Sequence, residues 1–146
     1  MAHNVEFQYK YIPDDTWASG YLCIGGNNFE FVCSYLFKNP LEELLNAVYQ
    51  IVPDLASFSR KEIDFIMLEE PVEYRWEFKL IDEEKVTINI YEKGSDLNAM
   101  LIFNDNLYLN DLLRALVHCI GRDAELRSNE DIERIYKQFK VYLKSH

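Results

Sequence analysis

Between Tyr74 and Lys93 the chain alternates apolar and polar residues in two successive runs. Tyr74, Trp76, Phe78 and Leu80 are separated by Arg75, Glu77 and Lys79; Val86, Ile88 and Ile90 are separated by Thr87 and Asn89. Side chains on a strand point to opposite faces with a period of two, so each run has one apolar and one mostly polar face. A loop of Asp82, Glu83 and Glu84 sets Leu80 against Val86, Phe78 against Ile88 and Trp76 against Ile90, and pairs Glu77 with Asn89 on the other face. A two-residue loop would set Leu80 against Thr87 and mix the faces. A three-residue loop ordinarily takes Gly at its last position, where Glu84 stands, so a five-residue loop is also open.

The same alternation predicts strands over Asn4 to Ile12, Trp17 to Ile24 and Phe29 to Phe37, with Gly25-Gly26-Asn27-Asn28 as a hairpin turn. Ile63 to Leu68 reads as a buried strand ended by Glu69-Glu70-Pro71. Lys93-Gly94-Ser95-Asp96 reads as a turn, Ala99 to Phe103 as a further strand and Asn104-Asp105-Asn106 as a polar corner. Helical periodicity marks three segments. Asn39-Pro40-Leu41-Glu42 is a helix start, Leu41, Leu44, Leu45, Val48 and Val52 form a stripe, and Pro53 stops it. Tyr108 to Ile120 carries Leu109, Leu112, Leu113, Leu116, Val117 and Ile120 on one side, with Gly121 as its stop. A last helix begins at Ser128, with Asp131 three residues on, and turns Ile132, Ile135, Tyr136, Phe139, Tyr142 and Leu143 inward. The expectation is a single α+β domain over residues 1–146: one mainly antiparallel sheet of about six or seven strands with three helices packed on one face.

Composition narrows the function. The 146 residues are 49% apolar, enough for an ordered core rather than a disordered chain. A net charge of -10 argues against nucleic acid and anionic membrane, whose binding draws on Lys and Arg. It favours solubility, or a basic protein partner reached by electrostatic steering. The odd number of cysteines, Cys23, Cys33 and Cys119, without a C-x-x-C, fits a reducing compartment. The first residues carry no apolar signal-peptide core and no run reaches membrane-spanning length, so the expected location is cytoplasmic.

Candidate chemistry is sparse. His3 and His146 lie at the ends, and His118 lines up with Arg114 and Asp111 on the polar side of its helix, without companions at metal-ligand spacing. The cysteines sit among apolar neighbours with no activating base, and Gly25-Gly26 precedes neither a helix nor a Lys-Ser/Thr pair. No catalytic, cofactor or metal residue is therefore assigned. The acids Glu69, Glu70 and Glu73, beside aromatics, and Asp82, Glu83 and Glu84, at the hairpin tip, are the candidate partner-binding residues. Tyr74 and Leu80 are separated by roughly 20 Å of strand, so the two groups fall at opposite ends.

Ser34-Tyr35-Leu36 leading into Asn39-Pro40-Leu41-Glu42-Glu43-Leu44-Leu45, and Glu70-Pro71-Val72-Glu73-Tyr74-Arg75-Trp76 with the strand after it, carry a resemblance. Over Trp17 to Tyr91 the chain resembles small, acidic, uncharacterised bacterial proteins, some of which look like immunity proteins of polymorphic toxin systems. The resemblance implies a non-enzymatic protein that binds and blocks a protein partner, with no catalytic residues to carry over. Two alternatives stand beside it. One is a small-ligand binder or enzyme with a pocket lined by Trp17, Tyr35, Trp76 and Tyr91; the other is a homodimer formed through an exposed sheet edge or face.

Overall fold

The computed structural model describes residues 4–69, 71–94 and 98–146. Glu70 and the expected turn at Ser95-Asp96 lie outside the described residues. Strands β1 (Val5–Tyr11), β2 (Trp17–Ile24) and β3 (Asn27–Ser34) are followed by α1 (Pro40–Ile51). Strands β4 (Glu62–Glu69), β5 (Val72–Leu80), β6 (Lys85–Lys93) and β7 (Ala99–Tyr108) come next, and α2 (Leu109–Gly121), α3 (Ala124–Arg127) and α4 (Glu130–Ser145) complete the order.

The strands form two antiparallel sheets, β1-β2-β3 and β4-β5-β6-β7, not the single sheet expected. β3 meets the larger sheet through side chains instead of ladder hydrogen bonds. Its residues Phe29 and Phe31 pack on Trp76 of β5, and it approaches both edge strands, β4 and β7. At the rim, Asn27 Nδ2 donates to the Asn104 carbonyl and to Asp105 Oδ2, both at 3.1 Å. Alternation identifies a strand and its apolar face but not whether that face is covered by a neighbouring sheet. The helices likewise touch both sheets: α1 packs on β4 and β5, α2 on β1 and β7, and α4 on α1 and α2. One continuous core runs through all of them, with Trp76 only 1% exposed.

The central hairpin has the expected register: Leu80 opposite Val86, Phe78 opposite Ile88, Trp76 opposite Ile90 and Glu77 opposite Asn89. Ile81 N donates to Lys85 O at 2.9 Å, which closes the three-residue loop. None of Asp82, Glu83 and Glu84 takes a positive φ, so this loop needs no glycine; Asp82 Oδ1 accepts from Glu84 N at 2.8 Å and Lys85 N at 2.9 Å and ties the turn down. The other hairpin turn is tighter than expected. Ile24 pairs with Asn27, so Gly25 and Gly26 alone make the turn, with φ of 55° and 93°. Two positive φ values are what a two-residue type I′ turn requires.

The outer face of the larger sheet is a polar ladder. Thr87 Oγ1 donates to Asn106 Oδ1, Asn104 Nδ2 to Asn89 Oδ1, and Asn89 Nδ2 to Glu77 Oε1. Glu77 is 7% exposed and sits 3.5 Å from Lys79 and 3.7 Å from Arg75, which also reaches Asp64 at 3.3 Å. The expected polar corner at Asn104-Asp105-Asn106 is thus part of β7, because amides that satisfy one another across the sheet are compatible with a strand.

Four further expectations are corrected. β4 is an edge strand, and its Ile66 is 49% exposed although Phe65 and Met67 are buried. Cys23 is half-exposed, because β2 turns Leu22 and Ile24 inward and Cys23 falls on the opposite face. Ser128 ends the additional helix α3, and the α4 cap is Asn129, which accepts from Asp131 N and Ile132 N. Gly121 is the last residue of α2 and has no positive φ, so it is not a left-handed stop; a Cβ there would lie 2.9 Å from the Tyr136 hydroxyl, which would have to shift.

Candidate functional site

The five candidate acids among the described residues, Glu69, Glu73, Asp82, Glu83 and Glu84, fall at opposite ends of β5 as expected, but they differ in what surrounds them. Glu69 closes β4 opposite Val72 and lines a cleft of about 530 Å³ on the three-stranded sheet, together with Lys10 and Glu30. The neighbouring Tyr74 phenol is pushed up to about 12, first by burial and then by the Glu69 carboxylate. Glu73 lines a different cavity, of about 260 Å³, with Lys38, Glu43, Phe37 and Ile66. Each of these carboxylates therefore has a lysine of the chain in its own cleft.

At the other end Asp82 is occupied by the two loop N–H groups, which hold its carboxyl below the usual range. Its role is to shape the turn. Glu83 and Glu84 remain exposed and line a cavity of about 460 Å³ with Asp54, Asp111, Tyr108 and Tyr142. The backbone places them there. Leu109 N donates to Glu84 O at 2.7 Å, so the loop is fastened to the start of α2, where Asp111 lies in the first turn. Asp54 arrives after α1 is stopped at Pro53, in a left-handed conformation with φ of 70° that Asp tolerates better than most residues. The nearness of Asp54 shows in Tyr142, whose phenol is raised by burial first and by the Asp54 charge second.

This groove can hold cationic side chains. Three of its acids, Asp54, Glu83 and Glu84, take part in no ion pair among the described residues, while Asp111 binds Arg114 at 3.0 Å. The Tyr108 ring already receives one ammonium, Lys85, 5.4 Å from its centroid. Among the described residues no group of three His, Cys, Asp or Glu converges as a metal site. No helix among them is long and apolar enough to cross a membrane.

The aromatic pocket of the alternative reading, lined by Trp17, Tyr35, Trp76 and Tyr91, does not form. Trp76 is in the core, whereas Tyr91 lies opposite Arg75 on the outer face of the same sheet, under its guanidinium at 4.6 Å. Residues of opposite parity on paired strands cannot line one cavity. The burial of two thiols has an electrostatic consequence: it pushes Cys33 up to about 12 and Cys119 up to about 11.

Sequence reasoning missed Asp54 and Asp111. Nothing local marks them, because their meeting with Glu83 and Glu84 depends on how α1 and α2 dock beside the hairpin. It did place His118 in line with Arg114 and Asp111, and all three border one further cavity, which also takes in Arg122. No family model, curated protein or solved structure matches the chain.

Proposed function

We propose that the protein is a non-enzymatic protein-binding module of the immunity type, which blocks a basic protein partner by covering it with the acidic groove at the tip of the β5–β6 hairpin. The observation that carries this reading is the convergence of Glu83 and Glu84 with Asp54 and Asp111 beside Tyr108 and Tyr142. A basic patch would be drawn in by the net charge of -10, and its Lys or Arg side chains would be held by carboxylates and tyrosine faces. Glu69 and Glu73 line two separate clefts, so neither is gathered with the acids of the groove. The test is affinity capture from the native host at low salt, comparing wild-type bait with Glu83→Gln/Glu84→Gln bait. A basic protein recovered only by the wild type supports the reading; equal recovery by both baits, or none by either, contradicts it.

A homodimer has one observation in its favour. Ile66 and Leu101, 49% and 50% exposed, lie in one row across the outer face of the larger sheet with Arg75 and Tyr91 between them. Sedimentation equilibrium of the wild type and of Ile66→Lys decides it, because only a dimer built on this face is shifted to monomer by the charge.

A further inference from the structure

A cavity of about 670 Å³ lies between β1 and α2, next to the acidic groove, and its lining mixes the acids Glu6 and Asp111 with Arg114 and Arg122. Arg114, His118 and Arg122 line its α2 side, and Glu6, Gln8 and Tyr21 are on the sheet side. Arg114 and His118 on α2, and Arg122 just past its end, recur every fourth position, so they fall in one line about 6 Å apart along the helix axis. A chain with only 15 Lys and Arg against 25 acids has few cations to spare, yet two arginines and an imidazole are gathered here. Arg114 is held by Asp111 at 3.0 Å, while Arg122 takes part in no ion pair among the described residues. Arg122 Nη1 lies 3.1 Å from His118 Nε2. A guanidinium has no lone pair to offer, so Arg122 donates and His118 accepts, which leaves the imidazole proton on Nδ1 and the remaining guanidinium N–H groups available.

We propose that this cleft binds a small organic oxyanion. The oxyanion, a phosphate or a carboxylate, sits against Arg122 and its His118 neighbour, where charge-assisted and bidentate bonds are available. The volume suits a metabolite-sized ligand. Glu6 and Gln8 on the opposite wall select a ligand whose far end donates hydrogen bonds, and Glu6 repels a second anionic group. The cleft borders the hairpin-tip groove, and the two share the Asp111–Arg114 pair, whereas His118 and Arg122 line the cleft alone.

The experiment is an amide NMR titration of the full chain with two probes, inorganic phosphate and citrate. The expected result is saturable shifts confined to residues 114–122 and the facing part of β1, with a dissociation constant on the order of 1 mM for at least one probe. Response to phosphate alone assigns a phosphate ligand, response to citrate alone a carboxylate, and response to both a general oxyanion site. Arg122→Gln should weaken binding about tenfold, the loss of a charge-assisted contact, with an otherwise unchanged spectrum. Glu6→Gln should tighten citrate, the probe with several carboxylates. Linear, unsaturable shifts spread over the surface, or saturable shifts whose dissociation constant Arg122→Gln leaves unchanged, would overturn the proposal.

Discussion

Phe29 on β3 stands edge-on to Trp76 on β5, with ring centroids 5.7 Å apart and planes at 78°. Phe31 repeats the arrangement at 5.8 Å and 81°, and Phe65 and Phe78 close over Trp76 from within its own sheet. The two sheets are joined through this aromatic cluster, so its removal should loosen the whole molecule. Trp76→Ala is expected to cost about 3–5 kcal/mol in urea unfolding. A Phe29→Leu/Trp76→Leu cycle should give a coupling of about 0.5–1.5 kcal/mol. Strict additivity would mean that the sheets do not support each other through these rings.

The hairpin loop depends on Asp82. Both backbone N–H groups stabilise its ionised form, so its folded pKa lies below the unfolded one. The stabilisation is present above the unfolded value and is lost as pH falls through the folded value. Asp82→Ala should therefore melt below the wild type at pH 7, and the gap should close on acidification. A gap that stays constant down to pH 2 would show that the carboxylate charge plays no part.

Glu42 works in the opposite direction. Its Oε2 accepts from Asn129 Nδ2 at 3.4 Å, across to the α4 cap. Burial, followed by the Asp131 carboxyl, raises its pKa, so its contribution is present below the unfolded value and lost as pH rises through the folded one. The melting temperature of Glu42→Gln relative to wild type should climb between pH 4 and pH 7. The group is largely solvated, so the change should stay within about 1 kcal/mol. A relative stability that falls over that range contradicts the assignment.

The thiols should separate by accessibility. Thiolate is the reactive form, and burial suppresses it at Cys33 and Cys119 while Cys23 is half-exposed. Iodoacetamide at pH 8.5 followed by mass mapping should label Cys23 alone in the native protein. Replacing each cysteine by Ala should alter stability only. Rapid labelling of Cys33, or a folded Ala variant without function, would show that a thiol has another role.

The parts of the fold governed by local periodicity were legible in the sequence. Hairpin register followed from matching Trp76, Phe78 and Leu80 to their partners, and the Asn39 cap and Pro53 stop bounded α1. Long-range packing was not legible. The division into two sheets depends on Phe29 and Phe31 seeking the face of Trp76, and the extension of β7 depends on amides pairing across strands. The same limit applied to the site. Glu83 and Glu84 stand out as a hairpin tip, but their partners Asp54 and Asp111 come from two helix ends that only tertiary docking brings there.

Association kinetics with the captured partner test most directly whether the hairpin-tip groove is the contact surface for a basic protein. Rim charges act chiefly on the association rate and its salt dependence. Glu83→Gln/Glu84→Gln should slow association several-fold at low salt and far less at 1 M, where the Debye length is about 3 Å. Glu69→Gln/Glu73→Gln should change it little, and neither pair should shift the melting temperature appreciably. Association that ignores both salt and the Glu83/Glu84 pair, or that responds instead to Glu69 and Glu73, would contradict the account.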